Sequence, residues 1–290
     1  MLKGIILRGY SSFYYVLVED KEYECSLRGK YRVKKQDFLP GDYVLISVVE
    51  DNKGVIEEVL PRENQLVRPP IANVNQAVLV MAVKNPLPDL QLLDRLLVIA
   101  NYQSIIPVIC FNKIDLDGNK GAELASIYRK AGYTVILTST KKNIGLVELK
   151  NHLKNHVTVF AGPSGVGKSS LLNLIMPGLA LKTGDVGVKS QRGKHTTRYT
   201  NLIPLPSGGL VADTPGFSRL YLPDMKREEL SKCFPEFNDY AQLCRFNTCL
   251  HHKEPDCAVK KALEEGLLDS HRYEHYLTFL SEVIARERSY

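Results

Sequence analysis

Gly162-Pro163-Ser164-Gly165-Val166-Gly167-Lys168-Ser169 is the stretch on which the reading of this chain turns. It matches G-x-x-x-x-G-K-[ST], a glycine-rich turn whose backbone N–H groups curl around a phosphate chain. Its flanks suit that use. Val157–Ala161 reads as a buried strand leading in, and Ser170-Leu171-Leu172-Asn173-Leu174-Ile175 begins a helix. A helix N-terminus adds a dipole that favours anions. Lys168 is expected to reach the outer phosphates and the Ser169 hydroxyl to hold Mg²⁺, with Ser170 next in the turn.

Working outward, the apolar strand Ile105–Phe111 runs directly into Asn112-Lys113-Ile114-Asp115. This N-K-x-D tetrapeptide suits guanine. The base offers a ring N–H and an exocyclic amine, and Asp115 is a pure acceptor. Asn112 can brace the loop, and the Lys113 stem can lie over the base. Adenine has no matching pair of donors, so a buried Asp115 would go unpaired against it. Ser139 and Thr140, after the strand Tyr133–Leu137, are expected to touch the base. Downstream, Leu210–Ala212 precedes Asp213-Thr214-Pro215-Gly216. In this D-x-x-G pattern the Asp positions Mg²⁺ through water and the Gly N–H senses the terminal phosphate. Gly193-Lys194-His195-Thr196-Thr197 is a polar loop in which one Thr, 196 or 197, is expected to complete the Mg²⁺ shell. Thr197 is the nominated ligand.

Three organisational units follow. Residues 1–68 hold five short strands separated by turn residues, as in a small OB-type barrel. Residues 69–222 alternate apolar strands with helically spaced segments, the signature of an α/β parallel sheet. Residues 223–290 read as mostly helical. The base motif precedes the phosphate loop, the reverse of an ordinary GTPase, so the central domain is expected to be a circularly permuted P-loop GTPase. Permutation leaves a loose end after the D-T-P-G turn, which the last unit can tie down. Severing 223–290 is therefore expected to destabilise or silence the switch.

The chain has 290 residues, 38 basic and 32 acidic, for a net charge of +6. That excess is local. By unit the net charges are 0, +9 and −3, and Lys182 to Arg198 is the densest basic run. A second run spans Arg28 to Lys35. Such runs are commonly solvated surface, but two of them favour a polyanionic partner such as RNA. The apolar fraction of 44% excludes a mostly disordered chain. No apolar run reaches the ~18 residues of a membrane span, and the N-terminus lacks a signal-peptide pattern. A cytoplasmic monomer, off the membrane, is expected.

In that compartment cysteines are thiols or metal ligands. Cys244, Cys249 and Cys257 with His251 form C-x₄-C-x-H-x₅-C, a closed set for one structural Zn²⁺. His252 competes with His251 for the fourth place. Metal binding of this kind supplies folding free energy, here to a unit that reads as poor in apolar residues. Cys25, Cys110 and Cys233 stand apart, as core or surface thiols.

Together these motifs resemble the RsgA-type circularly permuted GTPases, bacterial assembly factors of the small ribosomal subunit. The resemblance covers nearly the whole chain: barrel, motif order, the G-K-H-T-T loop, D-T-P-G-F and the metal cluster. It implies hydrolysis of GTP to GDP stimulated by the small ribosomal subunit, a role in late subunit maturation, and rRNA contact. It also favours His251 as the metal ligand. Phe217 stands where many GTPases place a water-orienting Gln, so another residue must act. His195 is the candidate, and the resemblance implies a catalytic role for it. A histidine facing RNA is the competing reading. Two other classes compete for the chain as a whole: an RNA-binding module with a structural nucleotide site and negligible turnover, and a phosphate-loop kinase. N-K-I-D and the lack of an acceptor pocket in the sequence argue against the kinase.

Overall fold

The computed structural model describes residues 1–10, 13–29, 38–67, 69–176, 200–213 and 221–288. The expected switch loop with His195, Thr196 and Thr197 lies outside these residues. So do Gly216, Phe217, the whole run Lys182–Arg198, and Lys30 to Lys35 of the second basic run.

Five N-terminal strands close into a barrel. They are β1 (Leu2–Tyr10), β2 (Phe13–Val18), β3 (Lys21–Leu27), β4 (Tyr43–Glu50) and β5 (Lys53–Val59), in the order β1-β2-β3-β5-β4. The β3–β5 pairing is parallel and the others antiparallel. Alternation along β1 explains its continuous apolar run. Ile6 is buried in the barrel core with Val16, Val44 and Ile56. Its neighbours Ile5 and Leu7 point the other way, into the core beneath the central sheet. A short hairpin, β6 (Gln65–Val67) with β7 (Pro70–Ala72), links the two units. Sequence patterning missed it because three-residue strands are too short to show a period. Leu66 and Ile71 bury its inner face in the same shared core.

The central sheet is built from β8 (Gln76–Ala82), β9 (Ile106–Asn112), β10 (Thr134–Leu137), β11 (Val157–Ala161), β12 (Leu202–Pro204) and β13 (Leu210–Ala212), ordered β10-β9-β8-β11-β13-β12. All neighbours are parallel except β12 with β13. Every residue of β8 and β11 is buried, as two covered faces require. Helices α1 (Leu90–Tyr102) and α2 (Gly118–Lys130) cover one face through Leu93, Leu96, Leu124 and Tyr128. Helices α3 (Leu146–His152) and α4 (Lys168–Ile175) cover the other through Leu149, Leu171 and Ile175. Aspartates start the long helices: Asp89 accepts from the Leu92 N–H at 2.9 Å and Asp117 from the Lys120 N–H at 3.0 Å.

The C-terminal unit is helical: α5 (Arg227–Leu230), two 3₁₀ turns (Ser231–Cys233 and Pro235–Phe237), α6 (Asn238–Ala241), α7 (Ala258–Glu264) and α8 (Ser270–Glu287). One expectation needs correction here. This unit is not poor in apolar residues. Phe234, Phe237, Tyr276 and Phe279 are buried in one cluster with Leu230, Val259 and Leu280. Its aromatics are spread over 45 positions of sequence, so no local window reveals them. Val98 of α1 belongs to the same cluster and carries it onto the central domain. No described helix is long and apolar enough to cross a membrane.

Candidate nucleotide and metal sites

The carboxyl ends of the parallel strands gather the motifs, as topology requires of such sheets. Asn112 ends β9, the glycine loop follows β11, Ser139 and Thr140 follow β10, and Asp213 follows β13. Thus residues spread from 112 to 213 in sequence gather on one crevice rim.

The loop has the backbone that glycine alone tolerates. Gly162 has φ +137°, and a Cβ there would lie 2.1 Å from the Val80 carbonyl oxygen. Gly167 has φ +99°, and its Cβ would lie 2.4 Å from Asn112 Nδ2. Val166 is buried beneath the loop, whereas Ser164 and Gly165 are exposed. Pro163, Ser169 and Ser170 are half-buried. The Lys168 ammonium donates to the Gly162 and Pro163 carbonyls at 2.9 and 2.7 Å. Burial lowers its pKa from the ordinary lysine value, so this cation has lost hydration that an anion could replace.

Asn112 is the joint between base loop and phosphate loop. It is fully buried. Its Nδ2 donates to the Val166 carbonyl at 2.8 Å, and its Oδ1 accepts from the Thr138 hydroxyl at 3.1 Å. That hydroxyl's hydrogen being used, the Cys110 thiol donates to it at 3.3 Å. Burial pushes the thiol up to about 12, which keeps its proton on. Lys113, at φ +64°, points its ammonium at the Gly165 carbonyl (2.6 Å) and at that of Asn85. Asp115 is held by the Ser139 hydroxyl at 2.5 Å, and this bond lowers its pKa from the ordinary carboxylate value. The Lys142 N–H in turn fixes Ser139 at 3.1 Å, and Thr140 follows, half-buried. Asp115 thus presents an ionised edge beside a rigid Ser139, a shape for two adjacent donors.

Two contributors were not foreseen. Asn85, in the bend that follows β8 and before a cis peptide bond to Pro86, supplies a carbonyl to Lys113. Its only sequence signal was an N-P turn dipeptide. Asn201 grips Asp213: its N–H donates to Oδ1 at 3.0 Å and its Nδ2 to Oδ2 at 2.6 Å. No motif flags it.

The second site lies in the C-terminal unit. Cys244, Cys249, His251 and Cys257 bring their ligand atoms within 4.8 Å of one another. The Cys244 and Cys257 sulfurs are 3.8 Å apart, and His251 Nδ1 is 3.5 and 3.4 Å from them. A tetrahedral Zn²⁺, with bonds of about 2.3 Å to sulfur and about 2.0–2.1 Å to nitrogen, needs edges of about 3.8 and 3.5 Å. The donor set fits. Burial pushes the Cys249 thiol up to about 12 and lowers the His251 pKa, which keeps that imidazole neutral and able to ligate. His251 sits at φ +53°, its carbonyl accepting from Tyr273 at 2.6 Å, while Glu254 accepts the Leu250 and His252 N–H groups at 3.0 and 2.9 Å. His252 is exposed and is not among the residues whose ligand atoms gather there. Cys25, Cys110 and Cys233 are buried core thiols.

A closed β-barrel, a doubly wound sheet whose base motif precedes its phosphate loop, and a helical unit with a Cys₃His cluster define a circularly permuted GTPase. The sequence profile named RsgA GTPase matches residues 59–223, and that of the RsgA N-terminal domain matches 3–56. The small ribosomal subunit biogenesis GTPase RsgA of Moorella thermoacetica is 53% identical over 289 residues, covering 100% of both chains. The crystal structure of YloQ, described as a circularly permuted GTPase, superposes with a TM-score of 0.85 at 44% identity, covering 99% of this chain and 96% of that one. YjeQ from Thermotoga maritima gives 0.86 at 39% identity, with 98% of each chain covered. This chain belongs to the RsgA GTPase family.

Proposed function

We propose that the protein hydrolyses GTP to time its stay on an assembling small ribosomal subunit, in the cytoplasm, binding rRNA and leaving on hydrolysis. The observation that supports this best is the Asn112–Val166 bond, which locks a guanine-type loop to a phosphate loop. In this reading Gly162 to Ser170 cradle the phosphates, and Asn112, Lys113, Asp115, Ser139 and Thr140 read the base. Ser169 and Thr197 hold Mg²⁺, Asp213 orients its water shell, and Gly216 follows the terminal phosphate. His195 orients the attacking water. Cys244, Cys249, His251 and Cys257 hold one Zn²⁺ that shapes the last unit. The working division is 1–68, 69–222 and 223–290, in a monomer. The ribosomal role is carried over from what the relatives are named.

The test is phosphate release from GTP with and without small ribosomal subunits, for wild type and His195→Ala. Stimulation expected in wild type and lost in the variant, with GTP affinity retained, supports the reading. Phe217 favours a second reading, an RNA-binding module with negligible turnover. Absence of stimulated release in wild type would establish it.

A further inference from the structure

Asn201 lies immediately before the edge strand β12, opposite the end of β13. It is not part of any nucleotide motif, yet it makes three hydrogen bonds with Asp213, two to the carboxylate and one from the backbone N–H. Its backbone N–H takes Asp213 Oδ1 at 3.0 Å, its side-chain amide takes Oδ2 at 2.6 Å, and its carbonyl accepts the Asp213 N–H at 3.0 Å. The amide is itself oriented. Tyr10, the last residue of β1 in the barrel, brings its hydroxyl to 3.4 Å from Asn201 Oδ1. A donor on that side turns Oδ1 toward the barrel and Nδ2 toward the carboxylate.

From this we infer that Asn201 is a positioning residue for the Mg²⁺-side carboxylate. It acts on the metal shell through Asp213 and does not itself touch nucleotide. The inference rests on the proposed role of Asp213. The physical reason is degeneracy. A carboxylate at a strand end can rotate about two torsions, and an unconstrained one offers a water-mediated metal shell many orientations. Two donors on two oxygens leave a single rotamer, with the remaining lone pairs facing away from β12. Outer-sphere groups of this kind commonly tune metal affinity by about 10–100-fold. Truncating the amide removes the Nδ2 bond to Asp213 and the Tyr10 contact to Oδ1. The backbone bond and the strand pairing stay, so the variant retains its fold.

The experiment uses the full chain loaded with fluorescent GDP. The Mg²⁺ concentration that half-maximally slows nucleotide release is measured for wild type, Asn201→Ala and Asp213→Ala, alongside GDP affinity in EDTA. Asn201→Ala is expected to raise the Mg²⁺ midpoint about tenfold while affinity in EDTA is unchanged. A midpoint within about twofold of wild type overturns the inference, provided Asp213→Ala does shift it. If Asp213→Ala leaves the midpoint unmoved, the role of Asp213 fails first, and the inference with it. An equal fall of affinity with and without Mg²⁺ in Asn201→Ala also overturns it, because that is general damage to the site. Should Asn201→Ala prove insoluble, Asn201→Ser reads the same quantity with a side chain too short to reach Oδ2.

Discussion

Gly167 carries two constraints at once, a left-handed backbone and a place for Asn112 Nδ2 where its own Cβ would be. Gly167→Ala must therefore break either the turn or the Asn112–Val166 bond. A stability loss of about 1–3 kcal/mol is expected from the backbone alone, read by urea denaturation. GTP affinity should fall by at least about tenfold, since the N–H groups of the loop are re-aimed. At this scale the sequence was highly legible. Glycines, Lys168, Asn112 and Asp115 sit in short motifs, and the structure brings these motifs together. Asn201 and Asn85 were illegible because their roles exist only after distant strands pair, and asparagine at a strand end is common.

Among elements, the contact that most needs explaining joins α1 to α8. Arg272 of α8 is 3% exposed and Asp94 of α1 fully buried, and they form an ion pair. Glu236 takes the Arg272 Nε, and His275 Nδ1 lies 2.6 Å from the second Asp94 oxygen. The guanidinium also lies over Tyr128, Tyr133 and Phe234, 5.2 to 5.3 Å from each ring centroid. Burying a charged pair costs desolvation, and removing one partner leaves the other uncompensated. Arg272→Ala should cost about 3–5 kcal/mol in a urea melt. That residues 223–290 are mostly helical was readable from the sequence. Their docking was not, since an Arg in the first turn of a helix, as in SHRYEHY, looks like any solvated residue.

For the whole molecule, the aromatic core of the last unit changes what metal removal should do. A zinc site in an otherwise empty domain would unfold on chelation. Here Phe234, Phe237, Tyr276 and Phe279 remain packed against Val98, and Arg272 remains clamped. EDTA should therefore release one Zn²⁺ per chain, loosen the turn from 244 to 257, and leave α8 helical. Far-UV circular dichroism should change little while thiol reactivity rises. Charge and domain order were legible in the sequence. The amount of core in each unit was not, because it depends on residues that meet only in three dimensions.

The strand Leu2–Tyr10 serves two interiors with alternate letters. Ile6 is spoken for by the barrel, and Ile5 and Leu7 by the sheet beside it. In the language of grafting, it is a party wall and cannot be sold with either house. Anyone exchanging this barrel for that of a relative must move the wall and its Leu66 and Ile71 footing together. A cut placed neatly at the hairpin turn would divide the sequence cleanly and leave both halves with an open side.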